Sequence, residues 1–146
     1  MAQVMQRLSL TWLGEPGPTV ATRNTFKVVV TLLVSYIIYS TALEIAEIPY
    51  NLQTIPIYIP ILKGIGSVLF SIWALWSLCK TRMSTRALYS IPQQYPRLGG
   101  CEDCCCAFFC TCCTVAQIAR HTGEYETYPA NCCTETGHPK GTPMIV

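Results

Sequence analysis

The chain has 146 residues, 51% of them apolar and only 12% charged, with a formal net charge of +2. That is one domain's worth of sequence. With no basic stripe interleaved with aromatics, the composition excludes a nucleic-acid surface. An ordinary soluble helical protein is excluded as well, because so short a chain has too little else to wrap around its two long apolar runs.

Residues 1–26 come first. Met1 to Gly14 lacks a compact apolar core followed by a small-residue cleavage site, and so does not read as a signal peptide. The stretch from Arg7 to Pro18, with Trp12 and Leu13, is expected to lie at a membrane surface as a cytoplasmic or interfacial segment.

Residues 27–80 read as a two-span membrane hairpin. Val28 to Leu43 is free of charge and follows Lys27, and it approaches the roughly 20 residues needed for a bilayer crossing. The second apolar run extends from Ile57 to Cys79, with Lys63 near one end, placed to snorkel toward the interface. Between the two lies a proline-punctuated turn, from Pro49 to Pro56, which is not helical throughout. Arg7, Arg23 and Lys27 precede the first span, and Lys80, Arg82 and Arg86 follow the second. The positive-inside rule then sets both termini in the cytoplasm, or on an equivalent reducing side. Trp73 and Trp76 sit near the cytoplasmic end of the second span, where interfacial tryptophan belongs.

Glu44 and Glu47 share a helix face at the far mouth of the first span. In an oligomer they make an ion-attracting rim, and alone they are an ordinary acidic border, the favoured reading. Gly64 and Gly66 on the second span allow close helix approach, either within the hairpin or between copies.

A basic linker is assigned to residues 81–100 and a cysteine-rich module to residues 101–133, with an irregular tail over 134–146. Six thiols fall within ten positions from Cys104 to Cys113, whereas Cys79 is the single cysteine before Cys101. From Glu102 or Asp103 to about Arg120 nothing breaks a helix, and the two acids suit its positive end. On one continuous helix Cys106, Cys110, Cys113 and Gln117 share a stripe. Three readings stand for the cluster. In the first, Cys101, Cys104, Cys106, Cys110, Cys113, Cys132 and Cys133 supply thiolates to a metal, for which zinc is the natural partner. In the second, cysteine is a small hydrophobe packed with Phe108 and Phe109. In the third, the juxtamembrane thiols are acylated. A reducing compartment argues against a disulfide framework. Tyr125, Tyr128 and Pro129 offer a means of docking the tail back on the hairpin. Cys113 with His121 or His138 lacks any oxyanion device or substrate pocket, so no enzyme is expected.

The stretch from Cys104-Cys105 through Cys110-Thr111-Cys112 resembles the C-C-x-x-x-x-C-P-C signature of the cysteine-rich placenta-specific gene 8 family, with cornifelin and the plant cell-number regulators and cadmium-resistance proteins. Arg82 to Tyr89 is similar to that family's basic R-x-x-x-R lead-in, and Gln117-Ile118-Ala119-Arg120 to its continuation. The likeness covers about Thr81 to Cys133, in the C-terminal half. The sequence departs from the pattern at Thr111, where the motif has proline, at His121, and in lacking an earlier cysteine block. The resemblance implies a small membrane protein, linked to metal tolerance, cation flux or organ size, that oligomerises. The sequence therefore leads to an all-α membrane protein: a two-helix transmembrane hairpin, a short cysteine-rich helix and an irregular tail. Its expected role is metal homeostasis or scaffolding. The alternative is an accessory subunit of a larger membrane complex, with lipids and further membrane subunits as partners and the cysteines serving packing or palmitoylation.

Overall fold

The computed structural model describes residues 1–50, 55–93, 101–123, 125, 127–132 and 134–139. Six helices follow in order: α1 (Ala2–Arg7), α2 (Thr19–Thr22), α3 (Thr25–Glu47), α4 (Tyr58–Leu88), α5 (Cys101–Phe109) and α6 (Thr111–Thr122). Among the described residues there is no strand, only an isolated bridge between Leu10 and Pro16.

Two of these helices, α3 and α4, are long and apolar enough to cross a membrane. Neither proline nor glycine interrupts α3, and it is apolar all round instead of carrying one stripe. Its one buried residue, Thr25, lies at its start and donates to the Leu10 carbonyl at 2.6 Å. Phe26 N donates to Gln6 Oε1 at 3.0 Å and Val29 packs against the core at that end of the molecule, and beyond these first turns α3 packs on α4. Tyr36 stacks on Phe70 with ring centroids 4.1 Å apart, and the Tyr39 hydroxyl donates to the Leu62 carbonyl at 2.7 Å. A Cβ at Gly66 would strike the Tyr39 ring, while Gly64 faces open space. Gly66 therefore serves contact inside the hairpin.

At 31 residues, α4 is about 46 Å long, well beyond a hydrocarbon core of about 30 Å. Pro60 falls in its first turn, where a missing N–H costs little. Its second half continues to Leu88, so residues 81–88 of the expected linker are helix. The remainder of that linker from residue 94 lies outside the described residues.

The last turns of α4 are enclosed by a cap made of α1, α5 and α6. Its core is Val4, Met5, Leu8, Leu10, Leu78, Ala107 and Ile118, four of the seven from the first ten positions. The first ten residues thus lie at the cap's centre, while Trp12, in the stretch expected at a membrane surface, is exposed. The apolar residues among those ten bury against α3, α4 and α6, and each large side chain enclosed contributes about 1.5–3 kcal/mol. Gly14 makes a second close approach. Its φ is +81°, and a Cβ there would sit 2.5 Å from the Ser77 carbonyl oxygen. The Ser84 hydroxyl donates to the Gly14 carbonyl at 2.8 Å, fastening the loop to α4.

The tail docks mainly on α1, with one ion pair to the hairpin between Lys27 and Glu135 at 3.8 Å. Gln3 Nε2 reaches the carbonyls of Asn131, Cys132 and Thr134 at 2.9–3.1 Å. Arg7 Nη2 donates to the Tyr125 hydroxyl at 2.8 Å, and Arg7 Nη1 lies 3.4 Å from His138 Nε2. Burial, with Arg7 alongside, lowers the His138 pKa below its usual 6.5.

Candidate functional site

The cysteine block is two helices, not one. α5 and α6 meet at Cys110 with a bend of 113°. Cys110 has φ −140° and ψ 56°, and Thr111 is the first residue of α6. That first helical position tolerates proline best, because its N–H has no helical acceptor. The motif's proline at this place would fit. Thr111 makes the same corner with its side chain, donating to the Ala107 carbonyl at 2.6 Å, while Thr114 Oγ1 donates to the Cys106 carbonyl at 3.1 Å. These bonds satisfy carbonyls at the end of α5 that the break would otherwise expose. The continuous stripe of Cys106, Cys110, Cys113 and Gln117 expected for one helix is consequently absent.

α5 lies antiparallel to α4 and is fixed to it at two levels. At the outer level, Asp103 is 1% exposed and accepts from Arg82 Nε and Arg86 Nη1, both at 2.8 Å. Arg86 is also 3.5 Å from Glu102 and donates to the Pro92 carbonyl at 2.6 Å. Asp103 raises the Arg86 pKa, so the guanidinium stays charged in this partly buried setting. One level further in, Cys104 is joined to Cys79 by a disulfide with Cα atoms 4.9 Å apart. That bond corrects two expectations: Cys104 is not a free ligand, and the cysteines are not all unpaired. The physical reason is proximity, since the Asp103 contacts bring Cys104 directly over Cys79.

The other thiols form small groups. Cys101 and Cys105 are 3.6 Å apart, Cys110 and Cys113 are 3.0 Å apart, and Cys112 is 4.0 Å from Cys113. Cys106 is half-buried, and Cys132 is exposed on the tail held by Gln3. Cys133 lies outside the described residues. Among the described residues no group of three His, Cys, Asp or Glu side chains is arranged to hold a metal ion. Among the described residues, no four donors converge on one point as a closed tetrahedral zinc site requires.

A cavity of about 480 Å³ opens where the two helix ends meet α4, lined by Arg82, Arg86, Glu102, Gln117 and His121 among others. At the far end of the hairpin, Lys63 lies 3.6 Å from Glu44 and 3.7 Å from Glu47. One lysine shared by two carboxylates halves the charge of the expected rim.

The residues that sequence reasoning passed over are Asp103 as the buried acceptor and Arg7 as the tail's anchor. Arg82 and Arg86, one turn apart on one helix face, were a legible signal for the first. Nothing in the sequence marked the second.

A model of the PLAC8 family matches residues 3–121. The chain belongs to the PLAC8 family. No match was found among curated proteins or among solved structures. The PLAC8 match reaches far beyond the C-terminal half in which the resemblance was legible, and takes in α1, the hairpin and both helices of the cysteine block. Packing is consistent with that extent: α1 and the turn after it supply four of the seven residues of the core that holds the block to α4. As a PLAC8 protein, the chain is cysteine-rich with two helices of membrane-crossing length and apolarity.

Proposed function

We propose that this PLAC8-family chain is a non-catalytic integral membrane protein that crosses the bilayer twice, keeps both termini on the cytoplasmic side, and serves as a scaffold subunit in a membrane assembly. The observation that carries this reading is the use to which the cysteine signature is put. Its Asp103 closes an ion pair with two arginines of α4, and its Cys104 is bonded to Cys79. The signature residues join helix to helix. The outer faces of α3 and α4 are left apolar and uncovered, with Leu33, Ile37, Ile38, Val68, Leu69 and Ile72 all exposed. Lipid and further copies of the chain are the partners that such faces accept.

A second reading, metal homeostasis, is favoured by one observation, the 3.0 Å approach of Cys110 and Cys113. Two thiolates suffice for a soft ion that accepts linear coordination, whereas zinc needs two further donors.

Native mass spectrometry of the protein released from membranes reads both assembly and bound metal. The scaffold reading expects a multimer or hetero-assembly without stoichiometric zinc. A bare monomer would sink it. A multimer holding zinc, which is lost on replacing Cys110 and Cys113 with serine, would transfer the function to metal handling.

A further inference from the structure

We propose that the α5–α6 elbow is re-entrant: it dips into the bilayer beside α4 and holds the acyl chain of a bilayer phospholipid in the groove between them. This rests on the reading of α3 and α4 as bilayer-crossing helices. From Cys104 to Ala119 no residue is charged, while Glu102 and Asp103 stand at one end of the elbow and Arg120 and His121 at the other. Both ends gather at the level of Arg82 and Arg86, around the polar cavity. The apex points the opposite way.

Depth along α4 follows from its partners. Asp103 meets Arg82 and Arg86, Cys104 meets Cys79, and Phe108 and Phe109 line a groove with Ile72, Leu75 and Trp76. Lys80, which sits 5.4 Å over the Trp76 ring and 2.9 Å from Glu15, marks the interfacial level. Ile72 is eight residues deeper, about 12 Å along the helix. From Lys63 to Lys80 the helix rises about 26 Å, so the apex reaches toward the middle of the apolar layer. Phe108 and Phe109 are 65% and 81% exposed there. Such exposure is costly in water and unremarkable in hydrocarbon.

A break in a helix at that depth must satisfy its own backbone, since no water is available. The elbow does so. Cys110 N donates to the Cys106 carbonyl at 3.0 Å, Thr114 N donates to the Cys110 carbonyl at 2.9 Å, and the two threonine hydroxyls cover Ala107 and Cys106.

The groove holds about 390 Å³ and is lined by Ile72, Leu75, Trp76, Phe108, Phe109 and the sulfurs of Cys79, Cys104 and Cys105. It opens onto the same face of α4 that the spanning reading gives to lipid. A phospholipid chain therefore enters it sideways from the bilayer, with its headgroup left near Lys80 and Glu15.

The test uses the full chain in phosphatidylcholine liposomes with a benzoylphenylalanine photoprobe replacing Phe109 or, separately, Ile72. After irradiation, mass spectrometry should find phospholipid adducts at both positions. Adducts at position 72 and none at 109 would overturn the dipping elbow while leaving the hairpin intact. Failure at both would remove the spanning reading on which it rests. Photoproducts at 109 joining two chains would make the groove a self-association surface. An acyl mass on Cys105 in unirradiated protein, removed by hydroxylamine, would show a covalent chain in the groove and overturn the free-lipid occupant. Circular dichroism of each probe variant confirms that the helices are retained.

Discussion

Asp103 accepts from two arginines while itself almost wholly enclosed, so its loss strands two cations in a partly buried site. Asp103→Asn should lower unfolding free energy by about 3 kcal/mol, read as a fall in the midpoint of denaturant unfolding in detergent. The acid and both arginines stood in the sequence, but 21 and 17 residues separate them, and only the antiparallel seating of α5 shows that they meet. Gly14→Ala should cost about 1–3 kcal/mol in the same assay, because it adds a positive-φ penalty to a collision with backbone atoms of α4. His138 gives the tail its pH dependence. Its folded-state pKa lies below the unfolded value near 6.5. More protons are therefore bound in the undocked state between those two values, and stability rises with pH there. The docking energy is fully present above pH 6.5 and is lost as pH falls toward the folded value. Protection factors at residues 134–138, taken against the intrinsic exchange rate at each pH, should fall on acidification through that window, and His138→Gln should flatten the response.

At the scale of elements, the corner at Cys110 gives the sharpest contrast. Thr111→Pro should change stability by no more than about 1 kcal/mol, because position 111 opens α6 and its backbone N–H makes no helical bond. Thr114→Pro removes the bond from Thr114 N to the Cys110 carbonyl and should cost about 3 kcal/mol or more. Thermal melts of the two variants side by side decide the matter. Equal damage from both would mean that the two helices form one continuous rod. The two long helices were legible because hydrophobicity over sixteen or more residues needs no partner to interpret it. The break was not, since threonine carries no turn signature of its own and only its side-chain hydrogen bonds reveal the corner. The fate of Cys104 was equally hidden: a thiol's partner is set by the register of α5 against α4, not by spacing along the chain.

Across the whole molecule, the hairpin and the cap divide the work: beyond its first turns α3 leans on α4, while α1, α5, α6, the start of α3 and the tail gather at the other end of α4. The helical class and the two long apolar helices followed from composition and hydropathy. The N-terminal segment's place did not, because six short helical residues with Val4 and Met5 look the same on a membrane as inside a core until α6 is set beside them. The native lysines test the central claim of a twice-crossing chain without any substitution. Lys63 is at the turn end of the hairpin and Lys27 and Lys80 are at the cap end, all with part of the side chain open to reagent. In sealed vesicles with the cytoplasmic face inside, a membrane-impermeant amine reagent followed by peptide mass spectrometry should find Lys63 modified and Lys27 and Lys80 protected. Modification of all three would contradict a crossing hairpin, and modification of Lys27 and Lys80 with Lys63 spared would contradict its orientation.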